Sequence, residues 1–324
     1  MNARTPTPNQ VRGCLLGHAV GDALGVPVEF AGRAARDRDP VTGMRAFGTH
    51  NQPAGTWSDD HSLTLASAVA LTENSWDLGW MGYTFTGWLM HGEFRPHGKV
   101  FDIGGTTRLA IQALDRGADP SKLPDLNSEQ SNGNGSLMRL APAALYLAGG
   151  NPAIRRQRAM DASRLTHGHP RSQLVCAVYA EVIAGLVWGL ALPAALAQAQ
   201  NTLTPFVAAE YPAESPHLQR LLDPSLADLP RHEISGSGYV VHTLEAALWC
   251  CLNFPDDFAT PVLAAVNLGL DTDTTGAVTG SLAGLIHGEA GIPEEWLAAL
   301  ARREHLEEAY DAFAAACSAS RAAS

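Results

Sequence analysis

Residues 267–288 read NLGLDTDTTGAVTGSLAGLIHG. The acid and hydroxyl side chains of Asp271-Thr272-Asp273-Thr274-Thr275 lead straight into an apolar run at helical spacing. A helix N-cap needs one side-chain oxygen, and this stretch offers several. A second cluster, Ser58-Asp59-Asp60, stands before another apolar run. Taken singly, each cluster also fits a plain cap. Taken together, they supply four carboxylates with hydroxyl oxygens and no Cys or His among the core candidates. Such hard oxygen donors suit Mg²⁺ or Mn²⁺ and disfavour zinc or copper.

The rest of the chain follows the same helical pattern. Ala and Leu recur at helical spacing, and no series of alternating Val/Ile/Thr segments suggests a sheet. The spacing predicts helices over 11–24, 62–71, 78–91, 105–113, 136–147, 153–165, 172–190, 192–200, 238–251, 258–268, 274–290 and 294–316. Polar loops bearing Gly and Pro fall at 31–55, 94–103, 117–135 and 224–237. The expected fold is all-α, a compact multi-helix orthogonal bundle forming one domain over 1–324, with 1–9 and 317–324 frayed. A single body is the simplest way for clusters so far apart in sequence to meet.

The chain has 324 residues, of which 46% are hydrophobic and 17% charged, with a formal net charge of −11. That charge argues against general nucleic-acid binding, which needs a basic surface. The five cysteines are odd in number, with Cys250 and Cys251 adjacent, so reduced thiols in a cytoplasmic setting are expected. The apolar run at 174–196 is interrupted by Glu181, Gly185, Gly189 and Pro193, and it reads as buried helix, not as a membrane span. A soluble monomer is the expectation.

Other segments carry chemistry. In GDALGVPVEF (21–30), Glu29 sits in apolar company, which raises a carboxyl pKa and suits a general base; a solvent-facing Glu after a helix stop is the alternative. NGNGSLMR (132–139) places glycines and Ser before a helix, an anion cradle or a plain turn. THGHP (166–170) has two histidines but no evident third zinc ligand, so a histidine donating a hydrogen bond to a ligand or to a carboxylate is favoured. FDIGGTT (101–107) sets Asp102 before a Gly-started helix, and SGSGY (235–239) ends on an aromatic that stacks on a base or fills core space.

Taken in order, these motifs resemble the ADP-ribosylglycohydrolases, the family that contains the dinitrogenase reductase-activating glycohydrolase. The resemblance covers nearly the whole chain: GCLLGHAVGDALGVPVEF (13–30), GTWSDDHSL (55–63), FDIGGTT, NGNGSLMRLAP (132–142), THGHP, SGSGYVVHTLEAALW (235–249), the quoted 267–288 stretch and IPEEW (292–296). It implies an all-α fold around two Mg²⁺ or Mn²⁺ ions held by Ser58, Asp59, Asp60, Asp271, Asp273 and Thr274. It implies catalytic roles for Glu29, Asp102 and Asp60, the first acting near the water nucleophile and the second on the ribose. Gly133, Asn134, Gly135, Ser136 and Met138 match the diphosphate loop, and His167 and Tyr239 match the cleft lining. The implied reaction is hydrolysis of the C1″ bond of ADP-ribose, with mono-ADP-ribosylated arginine of proteins as the first substrate. Serine-linked or polymeric ADP-ribose and O-acetyl-ADP-ribose are alternatives, as is a non-catalytic ADP-ribose-binding or structural member. The chain departs from the family's usual Thr-Asp-Asp-Thr in having Ser58 first and His61 last.

Overall fold

The computed structural model describes residues 4–320 other than 121, 124 and 125, so the ends expected to fray at 1–3 and 321–324 lie outside the described residues. Among the described residues, fourteen α-helices are joined by loops and short 3-10 turns, with no strand beyond two isolated bridges. They are α1 (Pro8–Gly25), α2 (Arg33–Arg38), α3 (Asp59–Asn74), α4 (Leu78–Thr86), α5 (Gly105–Asp115), α6 (Ala141–Leu147), α7 (Pro152–Arg164), α8 (Pro170–Val187), α9 (Leu192–Glu210), α10 (Val240–Asn253), α11 (Ala259–Val266), α12 (Thr272–His287), α13 (Glu294–Ala299) and α14 (Arg303–Ser320). The fold is all-α, as expected. One buried apolar cluster includes residues from Val11 in α1 to Cys317 in α14. No helix among the described residues is long and apolar enough to cross a membrane.

The centre is an unusually close pair of helices. In α1, glycine recurs at Gly13, Gly17, Gly21 and Gly25; in α12, it recurs at Gly276, Gly280 and Gly284. Residues four apart lie on one helix face, so both helices present a strip of bare backbone. A Cβ added at Gly13, Gly17 or Gly21 would run into the carbonyl oxygen of Gly284, Gly280 or Gly276 respectively, and one at Gly25 into the backbone of Asp273. The two helices are therefore antiparallel and in near backbone contact, and Thr272 Oγ1 donates to the Gly25 carbonyl at 2.8 Å. This pairing sets the first turn of α12 beside the last turns of α1. Gly17→Ala is expected to cost about 3 kcal/mol by overpacking, read as a lower urea midpoint. Gly98→Ala, where an added Cβ meets nothing within 4 Å, should leave the midpoint unchanged.

Several boundaries differ from the sequence expectation. The predicted 294–316 helix is two helices, broken where Arg302 takes φ +55°. The break is held by Ala301, whose N–H donates to the Gly55 carbonyl at 3.0 Å and whose carbonyl accepts from Trp57 Nε1 at 3.1 Å. The C-terminal helices thus anchor the segment that leads into Ser58-Asp59-Asp60. Helix α6 starts at Ala141, not at 136, because 134–136 form a 3-10 turn. Helix α9 runs past Gln200 and carries Pro205 inside it, and α2 forms within the predicted 31–55 loop. Residues 7–9 are ordered, with Thr7 and Gln10 forming a capping box at the start of α1.

Candidate active site

The two acidic clusters start α3 and α12, whose N-termini converge on the last turns of α1. Ser58 caps α3: its Oγ accepts from the Asp60 amide at 3.2 Å and donates to Asp60 Oδ2 at 3.0 Å. Thr274 Oγ1 donates to that same Oδ2 at 3.2 Å, a direct link between the clusters. Asp59 faces the cleft beside them. Asp271 and Asp273 flank the start of α12. The helix begins at Thr272, so Asp271 is the cap and Asp273 lies in the first turn. Both still come within 4.8 Å of Glu29 through carboxylate oxygens. The positive ends of two helix dipoles offset part of the crowding of negative charge.

Asp22 completes the cluster and was not singled out from sequence. It lies in α1 among buried residues, and its carboxylate accepts from the Ser58 amide at 2.9 Å and the His61 amide at 3.0 Å. An acid between two glycines of an otherwise apolar helix was the available signal. Oxygens of Asp22, Asp60 and Asp273 lie within 4.8 Å of one another, as do those of Glu29, Asp271 and Asp273, so Asp273 belongs to both groups. Burial pushes the Asp22 carboxyl up to about 8. Burial, then mutual repulsion, holds those of Asp59, Asp60 and Asp273 well above the usual carboxylate range.

Above the acids lies a cleft of about 400 Å³ lined by Glu29, Asp59, Asp102, Asp271 and Thr274 and by the backbone of the Gly104–Gly105 and Gly133–Gly135 segments. Among the described residues, no Lys or Arg lines it. A larger hollow of about 590 Å³ lies elsewhere, between Trp76, Tyr146 and Arg158, and none of the clustered acids reaches it. In the glycine loop, Asn134 Nδ2 donates to Asp271 Oδ2 at 2.9 Å, tying the loop to the acids. Gly133, Asn134, Gly135, Met138 and His167 line the cleft as the motifs suggest. Ser136 does not: its hydroxyl is fully buried, accepting from Ser163 Oγ at 2.9 Å and lying 3.5 Å from Cys176 Sγ. Tyr239 stands outside the lining. Its backbone bridges to Gly133, and its ring meets His242 and Arg171.

The two histidines of THGHP have separate jobs. Thr166 Oγ1 accepts from Arg139 and lies 2.9 Å from His167 Nδ1. We assign the Thr166 proton to Nδ1, which leaves His167 an Nε2–H to offer at the loop. Burial keeps that imidazole neutral, down to about 3. His169 caps α8 through Nδ1, which accepts from the Arg171 amide at 3.2 Å.

His50 is a second residue that sequence reasoning missed, because it lies in a loop without pattern. The Phe47–Gln52 bridge and a bond from Thr49 Oγ1 to the Glu29 carbonyl at 2.9 Å hold that loop. Its Nε2 lies 2.5 Å from Glu29 Oε2 and 3.8 Å from Asp102 Oδ1. Burial, with Asp102, Asp271 and Asp59 close by, pushes Glu29 up to about 10.

His61, the departure in the first motif, turns away from the acids into the core. Tyr310 OH lies 2.5 Å from its Nε2, its Nδ1 is 3.0 Å from His18 Nδ1, and His18 Nε2 is 2.6 Å from the Met138 carbonyl. One proton arrangement satisfies all three contacts: Tyr310 donates to His61, His61 to His18, and His18 to Met138. Burial holds His18 neutral, down to about 4, and burial with His18 close by holds His61 well below the usual imidazole range. His61 thus braces the glycine loop from beneath, with both ring nitrogens already occupied.

The donor set fits hard divalent cations. Asp60 Oδ1, Asp271 Oδ1 and Asp273 Oδ2 are buried and without a hydrogen-bond partner, and a buried charge in that state is stable only when paired. In the Asp22–Asp60–Asp273 and Glu29–Asp271–Asp273 groups every candidate ligand atom is a carboxylate oxygen, the ligand that Mg²⁺ and Mn²⁺ prefer, and His50 joins only Glu29 and Asp102. Gly238 helps to fix this arrangement, since a Cβ there would lie 2.6 Å from Asp271 Oδ2. Gly238→Ala is expected to displace Asp271 and lower kcat/KM about tenfold to a hundredfold, with part of the loss recovered at high cation concentration.

A family model described as ADP-ribosylglycohydrolase matches residues 3–323. The chain is 33% identical to the ADP-ribosylarginine hydrolase Tri1 of Pseudomonas putida, over 94% of this chain and 79% of that one. It is 30% identical to the ADP-ribosyl-(dinitrogen reductase) glycohydrolase of Rhodospirillum rubrum, over 89% of each. A solved structure described as an ADP-ribosylglycohydrolase-related protein complex matches with a TM-score of 0.77 at 32% identity, over 96% of this chain and 98% of that chain.

Proposed function

The chain belongs to the ADP-ribosylglycohydrolase family, and from that premise we propose that it removes mono-ADP-ribose from arginine side chains of modified proteins by cation-dependent hydrolysis at C1″. The observation that carries the reading is the set of unpartnered buried carboxylate oxygens on Asp60, Asp271 and Asp273 beneath a cleft walled by glycine backbone. The relatives named for arginine-linked substrates support the choice of linkage.

Ser58, Asp59, Asp60, Asp271, Asp273 and Thr274 would hold two Mg²⁺ or Mn²⁺ ions, with Asp22 bracing the start of α3. When bound, such ions supply Lewis acidity and the positive charge that returns these buried carboxyls to their ionised forms. Glu29, oriented by His50 and ionised once the neighbouring negative charge is offset, would take a proton from the attacking water as its oxygen bonds to C1″ and the bond from C1″ to the guanidine nitrogen breaks, and would return that proton to the departing nitrogen. Asp102 orients the ribose. The backbone of Gly133, Asn134 and Gly135, with the Nε2–H of His167 and Met138 beside it, holds the diphosphate, and that remote binding orients C1″. Ser136 and Tyr239 keep the loop in place. We extend the proposal to a single catalytic domain that acts as a monomer in the cytoplasm.

The test is mass spectrometry of the products from arginine-linked and serine-linked ADP-ribose substrates. Intact ADP-ribose from the arginine-linked substrate is expected. Preferential cleavage of the serine linkage, or release of inorganic phosphate, would contradict the assignment.

A further inference from the structure

Three cleft carboxylates each have an apolar neighbour in sequence: Glu29–Phe30, Phe101–Asp102 and Leu270–Asp271. In each pair one residue is held at positive φ, Phe30 at +64°, Asp102 at +62° and Leu270 at +68°. Such φ values are unfavourable for residues with a side chain, and most of all for a bulky one. The surrounding backbone enforces two of them: the Phe30 amide donates to the Leu270 carbonyl at 2.6 Å, and the Leu270 amide to the Ala31 carbonyl at 2.8 Å. The result is exposure of apolar side chains beside cleft acids, with Phe30 65% and Leu270 43% exposed. His50 stands between two rings, its centroid 5.8 Å from Phe30 and 5.3 Å from Phe101. Three rings are thus in contact beside Glu29 and Asp102, and Phe30 carries them to the cleft wall.

We infer that Phe30, His50 and Phe101, with Leu270, form a collar that receives the guanidinium and aliphatic stem of the modified arginine. The inference rests on the function proposed above, in which the bond to be broken lies against Glu29 and Asp102. Phe30 lines the cleft and is exposed, so a group leaving C1″ toward solvent on that side meets its ring first, with His50 and Phe101 packed behind it. Their chemistry selects among acceptors: a guanidinium is planar and cationic and stacks on aromatic faces. Among the described residues, no Lys or Arg lines the cleft to repel that charge. A serine-linked acceptor is neutral and without a flat face, and it gains neither contact. The collar is thus a specificity element on the acceptor side, separate from the loop that holds the diphosphate.

Phe30→Ala and Phe30→Trp test it, with ADP-ribosyl-L-arginine as substrate and free ADP-ribose as a binding probe, both in the presence of Mg²⁺. Phe30→Ala should lower kcat/KM about tenfold, mostly through KM, while the Kd of free ADP-ribose stays within about twofold of wild type. Phe30→Trp should restore most of the loss. Unchanged kcat/KM in Phe30→Ala, or an equal weakening of free ADP-ribose, would overturn the collar while leaving the hydrolase reading intact. A wild-type protein that releases no ADP-ribose from the arginine-linked substrate would overturn that reading, and the collar with it.

Discussion

Asp273→Ala is expected to reduce turnover at least about a thousandfold while leaving the protein folded. Asp273 is the carboxylate shared by both acidic groups, one with Asp22 and Asp60 and one with Glu29 and Asp271. Its Oδ2 has no partner in the protein, while its Oδ1 accepts from the Thr274 amide at 2.9 Å. Removing it therefore takes a ligand from each half of the proposed site and breaks no link between helices. In chelator the variant should melt above wild type, because a buried acid that repels Glu29, Asp60, Asp102 and Asp271 is gone. Asp102→Ala is the contrast: it should lower turnover but keep the rise in Tm that divalent cations give. The checks are kcat/KM and thermal melts with and without cations. Full activity in Asp273→Ala would remove the shared carboxylate from the mechanism.

The second large effect is on stability against pH. Asp22 is raised to about 8 and Glu29 to about 10, with Asp59, Asp60, Asp271 and Asp273 also raised, in each case chiefly by burial. In the unfolded chain these groups release their protons near pH 4. Between pH 4 and the folded values the native state therefore holds more protons than the unfolded state. Its stability is fully present below pH 4 in this respect and is lost as pH rises. Cation-free protein should accordingly melt at least about 5 °C lower at pH 8 than at pH 6. Divalent cations compete with protons for the same oxygens, so the stabilisation they give should grow over the same interval. A melting temperature in chelator that rises from pH 6 to pH 8 would contradict this account of the acids.

Sequence carried the all-α class and most of the helices, because apolar spacing in α1, α8, α10 and α12 is strong and nothing competes with it. It carried the two acidic clusters because each stands at a helix start and offers more oxygens than a cap needs. What it concealed depends on contacts between distant segments. Asp22 reads as an odd acid in an apolar helix until α3 docks its N-terminus on it. His50 has no local pattern, and only the fold brings it to Glu29. The break at Arg302 has no Gly or Pro to announce it; it is stabilised by Gly55 and Trp57, some 250 residues away in the chain. The glycines of α1 and α12 were visible at fourfold spacing, but their meaning came only with the antiparallel pairing that turns two bare strips toward each other. His61 stood out as a departure beside the acids, yet its side chain belongs to a core relay from Tyr310 to the glycine loop.

The most direct test of the central claim is the amount of intact ADP-ribose released from an arginine-ADP-ribosylated protein before chelation, after it, and after re-addition of Mg²⁺ or Mn²⁺. The account predicts release that falls to background in chelator and returns with either ion. Release that persists undiminished in the cation-free protein would contradict it.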